Sequence, residues 1–109
     1  MHELSITQSV VDAIVERMDG ATVKSVRLEI GKLSGIVADS VQFCFEVLCA
    51  GTSLEGARLE IVEPPGRAAC RDCRAEFGVD DLILLCPCGS ANVEVLAGRQ
   101  LRIKSVEVV

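Results

Sequence analysis

Two cysteine pairs concentrate the chemistry of this chain: Cys70-Arg71-Asp72-Cys73 and, after twelve intervening residues, Cys86-Pro87-Cys88-Gly89. Thiolates paired on two tight turns and separated by a hairpin suit one tetrahedral Zn2+, the arrangement of a zinc ribbon. Gly89 fits, because such a turn aims backbone N–H groups at sulfur and needs a residue that tolerates positive φ. The second pair is Cys-x-Cys, one residue shorter than the usual Cys-x-x-Cys, so its turn has to be tighter. Four thiolates leave no coordination position open for water or substrate, so such an ion holds its module together and does not catalyse. Cys44 and Cys49 stand apart from this set. Five helical steps place them about 140° apart around a helix, and they read as small core side chains.

A fainter constellation lies at the other end, where the sole histidine is residue 2. The α-amine of Met1, the His2 amide nitrogen and the His2 imidazole can close fused chelate rings around one ion, with Glu3 as a fourth donor. Such a nitrogen-rich, near-planar set suits Ni2+ or Cu2+ rather than Zn2+ or Mg2+. On its own the signal is weak, since a polar residue near a chain end is usually a solvated bystander.

Elements that could position these groups follow from periodicity. Ile6, Val10, Val11, Ile14, Val15 and Met18 recur at helical spacing, with Asp19-Gly20 as a stop, and Ser5 with Gln8 reads as a capping box that starts the helix near Ser5. Val26, Leu28 and Ile30 alternate with Ser25, Arg27 and Glu29 as in a strand, and Gly31 to Gly35 breaks the pattern. Asp39 with Gln42 repeats the capping logic ahead of Val41, Cys44, Phe45, Leu48 and Cys49, a second amphipathic helix. Strand alternation returns at Ala57 to Val62 and again from Leu101 to Val108. The fold expected is α/β (α+β): two helices packed on a small three-stranded sheet, with the zinc ribbon inserted before the last strand. The domain boundaries expected are residues 1–64 with 99–109 for the helical domain and 65–98 for the ribbon, opened by Pro64-Pro65-Gly66 and closed near Gly98.

Composition removes several functions. Half of the residues are hydrophobic, but only three are aromatic, all Phe, which makes a poor stacking surface for nucleic acid. A net charge of −5 repels phosphate backbones. Arg67, Arg71 and Arg74 are the only basic cluster, and Asp72, Glu76, Asp80, Asp81 and Glu94 offset it. The longest apolar run, Leu82 to Cys86, is far short of the roughly 20 residues a membrane helix needs. Glu3 and Asp12 without a basic flank argue against a signal peptide, so a cytoplasmic protein with reduced thiols is expected.

Met1-His2-Glu3-Leu4-Ser5, the segment Ile30-Gly31-Lys32-Leu33-Ser34-Gly35 and the block ending Cys86-Pro87-Cys88-Gly89-Ser90 together resemble the HypA/HybF family of hydrogenase nickel-incorporation proteins, over essentially the whole chain. The resemblance implies a nickel metallochaperone without turnover chemistry. It would take up Ni2+ at Met1, His2 and Glu3 and keep a structural Zn2+ at Cys70, Cys73, Cys86 and Cys88. It would deliver nickel, with a GTPase maturation partner, to the precursor of the large subunit of a [NiFe] hydrogenase, acting as a monomer or homodimer. The family pattern Cys-Pro-x-Cys-Gly is one residue longer than the second pair here. Two other classes compete. A zinc-ribbon adaptor for proteins or nucleic acid would leave His2 idle, and a thiol oxidoreductase would need an exposed low-pKa cysteine at a helix N-terminus, which the hairpin pattern does not supply.

Overall fold

The computed structural model describes residues 2–109, and for His2 the backbone alone. In chain order the elements are α1 (His2–Met18), β1 (Val23–Ile30), α2 (Ala38–Cys49), β2 (Arg58–Val62), β3 (Gly66–Cys70), β4 (Glu76–Val79), β5 (Val93–Ala97) and β6 (Leu101–Val108). The strands form two three-stranded sheets, ordered β2-β1-β6 and β4-β3-β5. This α+β arrangement matches the expected fold class. The chain falls into two compact units, one of Met1–Leu28, Ile36–Ile61 and Arg102–Val109, the other of Glu29–Gly35 and Val62–Leu101.

In the first unit α1 and α2 pack on each other, and the core is aliphatic around one ring. Helical spacing brings Val10, Val11 and Ile14 of α1 and Val41, Phe45 and Cys49 of α2 inward, while alternation brings in Val23, Val26 and Leu28 of β1 and Leu59 of β2. Asp19 (φ 45°) and Gly20 (φ 87°) end α1 in the left-handed region.

Both helix starts differ from the capping boxes expected. α1 already begins at His2, so Ser5 lies inside it and caps nothing. The hydroxyls of Thr7 and Ser9 donate to the carbonyls of Glu3 (2.6 Å) and Ser5 (3.1 Å), and Gln8 donates to Asp12. These polar groups therefore serve the helix interior instead of its first N–H groups. The N-cap of α2 is Val37, which has no capping oxygen, and Asp39 sits in the first turn, where its charge complements the helix dipole.

The second unit is built on β3, antiparallel to both β4 and β5, with Ala68 opposite Phe77 on one side and Val95 on the other. Leu33, Ala68 and Val79 form its small core, and Phe77, Leu84 and Val95 pack against them. Leu33 reaches this core because residues 31–33 are bound into the unit: the N–H groups of Gly31, Lys32 and Leu33 donate to the carbonyls of Gln100, Pro64 and Gly98 at 2.8, 3.0 and 2.7 Å. Gly98 takes φ 111°, and a Cβ there would stand 2.5 Å from Gly66 Cα. The stretch that breaks strand periodicity, and that carries part of the family resemblance, is thus the part that seats Leu33.

Candidate metal centre

The β3–β4 turn presents Cys70 and Cys73, and the loop between β4 and β5 presents Cys86 and Cys88. Their four Sγ atoms all lie within 4.8 Å of one another. Two separations, Cys70–Cys88 and Cys73–Cys86, are 3.7 and 3.6 Å. Four sulfurs at about 2.3 Å from a tetrahedral Zn2+ stand about 3.8 Å apart. The donor set, its spacing and its closed geometry therefore fit zinc. All six cysteines are free thiols, and Cys44 and Cys49 take no part in the cluster.

The shortened second pair is accommodated by a turn that keeps the hydrogen bonds of the first and drops one residue from each. In the first knuckle, Cys70 N–H donates to Ala75 O and Arg74 N–H to Cys70 O, both at 2.9 Å. In the second, Cys86 N–H donates to Ser90 O at 2.9 Å and Gly89 N–H to Cys86 O at 2.8 Å. Arg74 (φ 65°) and Gly89 (φ 95°) supply the left-handed residue at matching places. Each knuckle also aims an N–H at its leading sulfur: Cys73 N to Cys70 Sγ at 3.4 Å, and Cys88 N to Cys86 Sγ at 3.5 Å.

Charge within the cluster is unevenly held. The N–H of Cys73, aided by that of Asp72 and by the thiols of Cys73 and Cys88, brings Cys70 down to about 6 against desolvation. Cys86, although it accepts the Cys88 N–H, is pushed up to about 12 by desolvation and by the thiol groups of Cys88, Cys73 and Cys70. The thiolate is thus favoured at Cys70 and opposed at Cys86. A bound divalent cation would favour the thiolate form of every sulfur that coordinates it.

Sequence reading missed the side chain that ties the two knuckles together. Asp72 Oδ2 accepts the hydroxyl of Ser90, and Asp72 Oδ1 accepts Asn92 Nδ2 at 3.3 Å. Ser90 Oγ in turn accepts Asn92 N–H at 3.0 Å. These bonds hold the Asp72 carboxyl below its ordinary range, Ser90 first and Asn92 second. The available signal was an acid inside one cysteine pair and Ser and Asn just past the other, residues that hydrogen-bond readily in turns.

Of the residues expected at the amino-terminal constellation, Met1 lies outside the described residues, as does the side chain of His2. The His2 backbone begins α1, so its amide belongs to the first turn, whose N–H groups have no partner within the helix. Glu3 sits in the same turn, and its Oε2 accepts the N–H of Val37 at 3.2 Å.

Residues 1–108 match the family described as HypA, hydrogenase/urease nickel incorporation, metallochaperone. The hydrogenase maturation factor HypA of Nostoc sp. is 51% identical over 108 residues, covering 99% of this chain and 96% of that protein. That of Geotalea uraniireducens is 49% identical over 109 residues, covering 99% of each. The solution structure of the Ni metallochaperone HypA from Helicobacter pylori superposes with a TM-score of 0.64 at 25% identity, covering 98% of this chain and 97% of the other.

Proposed function

We propose that this chain, which belongs to the HypA family of hydrogenase nickel-incorporation metallochaperones, takes up Ni2+ at Met1, His2 and Glu3 and keeps a structural Zn2+ at Cys70, Cys73, Cys86 and Cys88. The match of residues 1–108 to the family carries this reading. The Met1 amine, the His2 amide and imidazole and the Glu3 carboxylate would be the nickel donors, the nitrogen-rich set that Ni2+ prefers. A first-turn amide can lose its proton to a metal without breaking a helical hydrogen bond. The positive end of the α1 dipole opposes a bare cation, so the anionic amide and the Glu3 carboxylate are what make the site electrostatically acceptable. A donor set at the start of a helix is also accessible to an acceptor, which can displace ligands one at a time.

The four cysteines would hold zinc without an open position, and the ion would supply the cohesion that the small core of Leu33, Ala68 and Val79 lacks. The chain has no turnover chemistry in this reading. It hands nickel, together with a GTPase maturation partner, to the large-subunit precursor of a [NiFe] hydrogenase in the cytoplasm. Among the described residues no helix is long and apolar enough to cross a membrane. The four thiols are committed to one cage, which disfavours the oxidoreductase reading, and the family match over residues 1–108 disfavours the adaptor.

Metal analysis of untagged protein tests the assignment. One tightly held zinc and one exchangeable nickel are expected, with nickel lost and zinc kept in His2→Ala. A single glycine added before Met1 should retain nickel but impair hydrogenase maturation in cells, because amine, two amides and imidazole then complete a four-nitrogen set that leaves no weak carboxylate position for the acceptor to enter. Unchanged nickel affinity in His2→Ala would move the site away from the amino terminus.

A further inference from the structure

Beside the proposed nickel donors, the first turn of α1 and the outer side of α2 enclose an open groove of about 370 Å3, lined by Glu3, Leu4, Asp39, Ser40, Phe43 and Cys44. Its apolar part is left uncovered: Leu4 is 49% and Phe43 67% exposed, and Val47, one turn beyond Phe43, is 57% exposed. Phe45, two residues from Phe43 on the same helix, is 2% exposed, so the core of this unit already has its ring and Phe43 serves no part of it. The groove is also rimmed by one sign of charge. Glu3 and Asp39 line it, Glu46 stands exposed on α2, and α2 carries no basic residue.

We infer that this groove docks the GTPase maturation partner while nickel passes between it and this chain, and that the docking segment is an aliphatic side-chain cluster flanked by lysine or arginine. The inference rests on the assignment of nickel to Met1, His2 and Glu3. Ligand exchange requires a donor atom of the partner to bind the ion before the last of the original donors has left. The partner's surface must then cover the immediate neighbourhood of Glu3, and Glu3 is itself a wall of this groove. The exposed apolar surface there calls for an apolar anchor, in the manner of interface centres where one aromatic side chain carries much of the binding. The acidic rim calls for a basic one, which would speed encounter and fix its orientation.

The test is the affinity of the zinc-loaded, full-length chain for the purified GTPase maturation partner, measured by calorimetry at two salt concentrations. Phe43→Ala should weaken binding by roughly 30-fold, as loss of a central aromatic anchor does. Glu46→Lys should weaken it further at low salt than at high salt. Leu82→Asp, at a residue 64% exposed in the other unit, should change nothing. The nickel affinity and helix content of Phe43→Ala should equal those of the wild type, because Phe43 is neither a donor nor a core residue. Equal partner affinity in Phe43→Ala and wild type, or no binding by the wild type, overturns the groove and leaves the nickel assignment standing. If His2→Ala binds nickel as the wild type does, the nickel assignment falls, and the inferred occupant falls with it.

Discussion

Glu3 Oε2 lies 3.2 Å from the backbone nitrogen of Val37, so the residue proposed to complete the nickel site also caps the start of α2. In a capping box, a Glu three residues into a helix returns to the N–H of its own N-cap. Here the carboxylate comes from the neighbouring helix instead. A change at Glu3 therefore acts on two properties that can be separated. Glu3→Gln keeps an oxygen for Val37 but loses the anion. It should unfold in urea within about 0.5 kcal/mol of the wild type while binding Ni2+ distinctly more weakly, whereas Glu3→Ala should lose about 1 kcal/mol as well. Wild-type nickel affinity in Glu3→Gln would remove the carboxylate from the donor set.

Asp72 should matter to metal retention although it carries no sulfur. Its two acceptor bonds, to Ser90 and Asn92, join the first knuckle to the second. Partners that orient ligands typically change metal affinity by about 10–100-fold when removed. Asp72→Ala is expected to surrender zinc to a chromogenic chelator faster by a factor in that range, with its fold intact while zinc is bound. The sign of the pH effect follows from the lowered pKa of Asp72. The clasp is complete above the ordinary carboxylate range and is lost as pH falls through the lowered value, so at neutral pH the full difference between variant and wild type should be visible. Equal release rates would reduce Asp72 to a surface residue.

What could be read from the sequence was local, and what could not was long-range. The four metal-site cysteines stand in two tight pairs, so a shared ion is legible from spacing alone. The buried sides of α1 and β1 follow from periodicities of 3.6 and 2 in Val10, Val11 and Ile14 and in Val26 and Leu28. The helix starts were misread because a Ser or Asp followed three residues later by Gln marks a capping box only if no other group claims those positions. Val37 is capped by a carboxylate 34 residues away, and Thr7 and Ser9 turn their hydroxyls to carbonyls. The core role of Leu33 is not legible from its segment, because its partners, Ala68 and Val79, lie far along the chain. Cys44 and Cys49 were both read as buried; Cys49 is, whereas Cys44 is half-buried on the groove.

Those two thiols should differ in reactivity. Desolvation pushes Cys49 up to about 11, so at pH 7.5 it is a protonated thiol inside the core. In zinc-loaded protein, mild iodoacetamide treatment should modify Cys44 and spare Cys49, as read by mass spectrometry of the digested chain. Equal labelling of the two would mean that the first unit opens readily.

Gly98 should tolerate no side chain. Its φ of 111° is one that L residues rarely adopt, and a Cβ there would stand 2.5 Å from Gly66 Cα and 3.2 Å from Leu33 Cγ. Gly98→Ala then combines backbone strain of roughly 1–3 kcal/mol with displacement of Leu33 from a core of few residues. The expected result is faster amide exchange in residues 66–79, with the first unit unaffected. Exchange at the wild-type rate in that stretch would show that residues 29–35 do not need this close approach.

Zinc removal should act on the second unit alone. With a core cluster of only three buried apolar residues, Leu33, Ala68 and Val79, the ribbon has little hydrophobic burial to fold on, so the metal has to provide much of its free energy of folding. Cys73→Ala removes one of the four sulfurs and leaves the remaining three with an open position and a weaker hold on the ion. The variant should lose zinc and amide protection across β3, β4 and β5. The first unit has a separate core around Phe45, Ile14 and Leu28, and its helical circular dichroism and nickel binding at the amino terminus should persist. Protection of β3 at wild-type levels in the zinc-free variant would show that packing, not the metal, holds the unit. Loss of nickel binding together with zinc would place a nickel donor among the cysteines.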